Sequence, residues 1–367
     1  MGIVRVEAYL VTLRFSEPFR IAPGTSVESR NVLVRIVTDY GVEGWGEASP
    51  SKRVTSETVE TVFSALSKIA PRLIGLCPLR IEHIVEVMDN AVEGNNSAKA
   101  AVDIALHDII GKTVGKPLFM ILGGYRKEVL TDITISMKPP GEMAADAVKA
   151  VKQGFKALKI KVGSNPDEDV ERVRMVREAV GDGVEIRVDA NGGWSPEQAV
   201  EALRRIERFD VEFVEQPVPA DDIQGLATVR RSTSIPVMAD ESVHSPSDAL
   251  RLIQKEAVDL INIKLMKSGG ILKARRICDV AEAGGIPCMI GCMGESGLGI
   301  AAGAHLAAGL KNMMYADLDS DLLQVEKLVK KGGTSVLNSK RVFSGGSGLG
   351  IVELNVELTG APLAVYK

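Results

Sequence analysis

Eight short apolar strands at even spacing constrain this chain more than any other feature of it. From about residue 128, apolar runs alternate with amphipathic helical stretches. The runs end near Ser136, Lys161, Asp189, Glu215, Asp240, Lys264, Gly291 and Asp317. Successive ends are 25, 28, 26, 25, 24, 27 and 26 residues apart. A strand, a helix and two loops need about that length, and eight such units close into a (β/α)8 barrel. A doubly wound open sheet also alternates, but does not repeat so evenly through eight units.

The strand ends carry charge. Alternation in ALKIKVG (157–163) marks a strand with Lys159 and Lys161 on one side. Parallel strands between helices are buried on both faces, so two lysines there call for a reason. Asp189, Glu215 and Asp240 end strands three, four and five, where barrel chemistry collects. Each acid alone reads as a helix cap. Three together repel one another unless a cation sits between them, and an all-oxygen site suits Mg²⁺. Lys161 and Lys264 end strands two and six, four apart in a ring of eight, with the carboxylates on the arc between. A substrate carbon held there has one amine on each face, the arrangement for removing a proton from one side and returning it to the other. Lys159 then reads as the neighbour that tunes and positions Lys161. The alternative is that both lysines only neutralise the carboxylates.

The segment before the barrel differs. VEAYLVTLRF and VLVRIVTDYGVEGWGEAS read as antiparallel strands, with a hairpin turn at Asp39-Tyr40-Gly41. Helices are predicted from about Ser56 to Leu73 and from about Ser97 to Val114. Asn96 or Ser97 would cap the second, and Val102, Leu106, Ile109 and Ile110 form its apolar stripe. Composition is that of a globular protein, 45% hydrophobic and 25% charged. A net charge of −4 gives no basis for binding nucleic acid or an anionic membrane. No signal-like or membrane-spanning run is present. Cys77, Cys278, Cys288 and Cys292 are too sparse for a disulfide framework or a zinc site. Cys288 and Cys292 are expected to pack as small apolar residues, and a reducing cytoplasm is the expected location. Whether the chain forms a homo-oligomer is left open.

Taken together, NSAKAAVDIALHDIIGKTVGKPLFMILGG (96–124), LKIKVG, DANGGW, VEQPV, MADES and INIKLMKSGG, in this order, resemble the enolase superfamily in its muconate-lactonizing-enzyme subgroup. The resemblance implies a modified TIM barrel, (β/α)7β. It implies one Mg²⁺ per subunit on Asp189, Glu215 and Asp240, Lys161 and Lys264 as acid/base residues, and Lys159, Asn191 and Glu241 in support. It also implies an α+β capping domain over residues 1–125, a catalytic barrel over 126–323, and a tail over 324–367 that returns to the cap. RVFSGGSGLGIVELN is expected to make that return. Reactions in the subgroup include epimerisation of dipeptides, racemisation of N-acylamino acids, cycloisomerisation of muconate and formation of o-succinylbenzoate.

YADLDSD discriminates among these. Asp317 and Asp319 share a face by strand alternation and would hold an ammonium group, which a free dipeptide has and muconate and N-acylamino acids lack. The pair is similar to the mark of dipeptide epimerases. O-succinylbenzoate synthase, N-acylamino acid racemase and a non-catalytic metal-binding barrel are the alternatives. Ala-Glu enzymes carry an arginine in the loop after the first strand to pair with the substrate glutamate. Aligning on Pro18-Phe19 puts Gly24 in its place, which departs from Ala-Glu specificity. Gly24 and Ile21 leave room for an apolar side chain, Lys52 and Arg53 would favour an acidic one, and Asp321 a basic one. The reading leans to hydrophobic dipeptides.

Overall fold

In the computed structural model, which describes Met1–Lys367, the eight expected strands form one parallel sheet hydrogen-bonded in chain order. They are Ile133–Ile135, Ala157–Lys161, Glu185–Asp189, Val211–Glu215, Val237–Ala239, Leu260–Lys264, Cys288–Gly291 and Met313–Ala316. Five of the eight ends fall where the periodicity puts them. Ser136, Asp240 and Asp317 lie one residue beyond, at the start of the loops. The seam between the first and eighth strands is bridged by Asp132 N donating to Ala316 O at 3.3 Å and Leu318 N donating to Thr131 Oγ1 at 2.9 Å. Each of the seven connections carries a helix. The eighth strand is followed only by a 3-10 turn, Ser320–Leu322, which makes the architecture (β/α)7β.

Burial explains why the strands are so short and apolar. A core of 69 buried residues joins the strands to their helices. Inside the barrel, near the strand starts, Phe213, Met238, Leu260 and Met289 form a separate plug. Arg187 closes over it, 5.2 Å above both the Phe213 and Tyr315 rings, with its charge met by Asp132 and Glu212 at 2.8 Å each. The start side is thus filled, and open space remains only at the strand ends.

The cap covers those ends. Its sheet runs from Ile3–Ile21 through Gly24–Thr38 to Glu43–Ala48, all antiparallel, with the turn at Asp39-Tyr40-Gly41 as expected. The return of the tail is made by Ala364–Tyr366, which pairs with the first cap strand. RVFSGGSGLGIVELN returns there too, with Leu118 N donating to Gly348 O at 2.8 Å and Leu349 N to Asp108 Oδ1 at 2.9 Å, while Lys340–Phe343 pairs with Glu128–Leu130.

Two helical expectations need correcting. The helix Asn96–Val114 begins after Asn95, which is the N-cap in a left-handed conformation (φ 51°) and makes no side-chain bond to the helix amides. The buried first-turn amide of Ser97, which has no partner within the helix, is met instead by the Glu57 carboxylate, at 3.1 Å, from 40 residues upstream. The apolar stripe is also too narrow a description, because the helix is buried almost all round. Gly44 and Gly46 let the third cap strand lie directly on it, since a Cβ at Gly46 would overlap the Ala101 carbonyl. No helix is long and apolar enough to cross a membrane.

Candidate active site

Strand register assembles the charged groups. Lys161, Asp189 and Glu215 are Cα partners along one rung of the sheet. Lys159 lies two residues back on the same face and is 2% exposed. Its ammonium bonds Asp317 Oδ2 across the barrel, and lies 3.6 Å from Glu215 and 3.8 Å from Asp189. Lys161 Nζ is 2.5 Å from Asp189 Oδ2 and donates to Asn191 Oδ1 at 3.1 Å. Asn191 in turn donates to Glu241 at 3.0 Å. On the far side Lys264 Nζ lies 2.8 Å from Asp240 Oδ2. Gly291, ending the next strand, has no side chain because a Cβ there would press on Lys264 Cε and Asn262.

These groups do not balance. Burial, then the charge of Asp189, pushes Glu215 up to about 8, against Lys159 and Lys264. Burial, with Asp240 and Asp189, pushes Glu241 up to about 7. Burial alone would also raise Asp240, but the ammonium groups of Lys264 and Lys267 outweigh it and hold the carboxyl well below its usual range. Lys159 is raised against burial by Asp317, Glu215 and Asp189, and Lys264 against burial by Asp240 and Glu215. Lys159 is thus committed as a cation to Asp317. Glu215 Oε2 and Glu241 Oε2 are buried without a hydrogen-bond donor, and the two Asp240 oxygens meet only the ammonium groups of Lys264 and Lys267. Such a cluster of buried hard oxygens, with no neutral donors to satisfy it, fits a divalent cation of the magnesium type.

A cavity of about 500 Å³ opens above them. Lys159, Lys161, Asn191, Lys264, Asp317 and Asp319 line it, whereas Asp189, Glu215, Asp240 and Glu241 lie behind the lysines. Asp319 is fixed by Thr134 N, which donates to its Oδ2 at 2.6 Å. Burial and then Asp317 raise the Asp319 carboxyl, while Lys159 holds Asp317 below the usual carboxylate range despite its burial. From the cap, Ile21, Lys52 and Arg53 reach the cavity wall. Gly24 does not, and lies behind Arg53. Asp321 stands apart. Its carboxylate is taken by Arg341, a fully buried side chain of the tail, so it is not a free anion for a basic substrate.

Two members were missed in the sequence. Lys267 lies one turn after Lys264 on the short helix Leu265–Ser268, with its Nζ 2.5 Å from Asp240 Oδ1. The spacing in KLMKSGG was the available signal. Cys292 does not merely pack. Its thiol lines the cavity 3.6 Å from Asp319 Oδ1, and burial with Asp317 and Asp319 pushes it well above the usual thiol range.

Residues 5–123 match the mandelate racemase / muconate lactonizing enzyme N-terminal domain family, and residues 142–356 the enolase C-terminal domain-like family. The chain is 44% identical over 348 residues to an L-Ala-D/L-Glu epimerase of Clostridium acetobutylicum, covering 94% of this chain and 97% of that one. Among solved structures it resembles the dipeptide epimerase of Enterococcus faecalis V583 complexed with Mg and L-Leu-L-Tyr, with a TM-score of 0.94, 42% identity and coverage of 96% and 100%. The dipeptide epimerase of Cytophaga hutchinsonii complexed with Mg and D-Ala-L-Val matches with a TM-score of 0.97 and 38% identity over 100% of both chains.

Proposed function

Because the chain belongs to the mandelate racemase / muconate lactonizing enzyme family of the enolase superfamily, we propose that it is a dipeptide epimerase working by two-base proton transfer. The observation that carries this reading is the meeting, in one cavity, of Lys161 and Lys264 with the acidic pair Asp317 and Asp319. Asp189, Glu215 and Asp240 would hold one Mg²⁺ per subunit. That ion supplies Lewis acidity, stabilising the charge that develops on a substrate carboxylate as its α-proton leaves.

The chain's own groups do the rest. Lys161 and Lys264, on the second and sixth strands, flank the α-carbon of the substrate's C-terminal residue. One takes the proton and the other returns one to the opposite face. Asp317 and Asp319 receive the substrate ammonium, with Thr134 N fixing Asp319. Lys159 stays charged, neutralises the carboxylate arc and positions Asp317. Asn191 links Lys161 to Glu241 and holds the lysine's approach.

The test is a mixed L,L-dipeptide library incubated with protein and Mg²⁺ in D₂O and read by mass spectrometry. A gain of about one dalton in particular dipeptides, lost when Lys161→Ala and Lys264→Ala are combined and on chelation, is the expected result. Exchange confined to N-acylamino acids, insensitive to Asp319→Asn, would overturn the dipeptide reading. Mg²⁺-dependent thermal stability with no exchange in any substrate would leave a non-catalytic barrel.

A further inference from the structure

The two cap loops meet where one of them lacks a side chain. Gly24 opens the second cap strand at φ 147°, and a Cβ there would lie 2.6 Å from Arg53 Nη2 and 2.8 Å from Cζ. The Arg53 guanidinium therefore occupies the volume that a side chain at position 24 would take. Two neutral contacts hold it, from Nη2 to the Thr25 carbonyl at 3.2 Å and from Nη1 to Ser26 Oγ at 3.3 Å. A guanidinium has five N–H donors, so most of its bonding capacity is unspent.

The surrounding acids do not neutralise it. Arg53 is in no ion pair, whereas Arg30 on the same wall lies 3.9 Å from Glu60. Glu57 is committed to the Ser97 amide. Lys52 beside it is also unpaired, and both line the cavity that holds Lys161 and Lys264. Glu28 lines this wall without an ion-pair partner, so the wall is not uniformly positive. What singles out Arg53 is its seat against Gly24.

The floor of the cavity is already assigned. On the epimerase reading, the substrate carboxylate faces the metal arc, the ammonium faces Asp317 and Asp319, and the lysines flank the α-carbon. The remaining substituent on that carbon has only the cap to meet. There Phe19 and Ile21 would cover methylene groups, and Arg53 would receive whatever lies at the tip. We infer that Arg53 is the specificity residue of this enzyme: it pairs with a side-chain carboxylate on the substrate's C-terminal residue, so dipeptides ending in glutamate or aspartate are preferred. The room beside Gly24 is then filled by the protein rather than left for a bulky apolar group. A planar guanidinium matches a carboxylate with two parallel bonds, which a lysine does not.

This inference rests on the epimerase reading, and one experiment separates the two. Deuterium incorporation gives kcat/KM for L-Ala-L-Glu, its neutral isostere L-Ala-L-Gln, and L-Ala-L-Leu. The wild type is expected to favour Glu over Gln by about tenfold or more. Arg53→Met should bring that ratio to about one, and Gly24→Val, which crowds the guanidinium out of its seat, should lower it in the same direction. A wild-type ratio near one, or a ratio unmoved by Arg53→Met, would overturn this inference alone. Exchange only with other dipeptides of the mixed library would also overturn this inference alone, and no exchange with any dipeptide would overturn the epimerase reading and this inference with it.

Discussion

Glu47, on the third cap strand, accepts hydrogen bonds from both the backbone amide and the hydroxyl of Ser296, the residue that caps the last barrel helix. The two bonds measure 2.9 Å to Oε1 and 2.7 Å to Oε2. The amide of Gly299 adds a third at 2.8 Å, and Asn31 Nδ2 a fourth at 2.7 Å. A cap carboxylate thus satisfies orphan donors at the start of a barrel helix, where the helix dipole also favours negative charge. It ties the two layers together beside the cavity. Glu47→Ala leaves several of these buried donors unpaired, at about 1–3 kcal/mol each. Urea unfolding should show a loss of about 3 kcal/mol or more. A variant as stable as the wild type would mean that water replaces the carboxylate.

Glu295 lies next to Ser296, and its carboxyl is pushed up to about 8 by burial, with Glu47 adding to the rise. Its own backbone amide and that of Met293 work against this. The folded state therefore holds this proton more tightly than the unfolded chain, whose carboxyl titrates near 4.5. Stability from this group is complete below about pH 4.5, is lost as pH rises to about 8, and changes no further above. Denaturation at a series of pH values should show the wild type losing ground to Glu295→Gln across that window and holding a constant difference beyond it. A difference flat from pH 4.5 to 8 would show that Glu295 is ionised in both states.

Lys267 is 1% exposed and sits on Asp240 together with Lys264. Its ammonium also bonds the Asn262 carbonyl at 3.1 Å. Removing one partner of a buried ion pair typically costs 3–5 kcal/mol, because the remaining charge is left uncompensated. Lys267→Met should lose about that much stability in the presence of a chelator. Added Mg²⁺ should restore more of it than the same addition gives the wild type, since a cation at Asp240 replaces the missing charge. Equal stabilisation of both by Mg²⁺ would argue that the ion does not touch Asp240.

Much of this arrangement was visible in one dimension because barrel strands make sequence position and spatial position nearly the same thing. A charged residue that ends an apolar strand, at Lys161, Asp189, Glu215 or Lys264, has one place to go. Other features depend on contacts that no local pattern encodes. Glu57 caps a helix 40 residues away, and Arg53 meets Gly24 across two loops. Lys267 lay within a quoted motif, but its meeting with Asp240 depends on the chain turning helical directly after the sixth strand. Asp321 looked free only because its partner, Arg341, belongs to a tail whose path the periodicity does not describe.

That ion pair gives its own test. Arg341 is fully buried, and its guanidinium also donates to the Leu318 carbonyl at 2.9 Å. Arg341→Met leaves Asp321 unpaired near the eighth strand and should cost about 3–5 kcal/mol in guanidinium unfolding. Asp321→Asn, by contrast, should leave the relative rates on dipeptides with basic and neutral side chains unchanged, because the carboxylate does not line the cavity. A selective loss of basic dipeptides in Asp321→Asn would put Asp321 back in the site.

Lys161 and Lys264 end the second and sixth strands of an eight-stranded barrel, and each contacts a different end of the carboxylate arc. If each serves one face of the α-carbon, neither variant can complete an inversion, yet each retains one competent base. Lys161→Ala and Lys264→Ala should both lower epimerisation by about 10²–10⁴-fold. Solvent deuterium should still enter one epimer in Lys161→Ala and the opposite epimer in Lys264→Ala, without inversion in either. The readout is NMR of the α-proton with separate L,L and L,D substrates. Loss of exchange from both epimers in one variant, with full exchange in the other, would mean that a single lysine handles both faces.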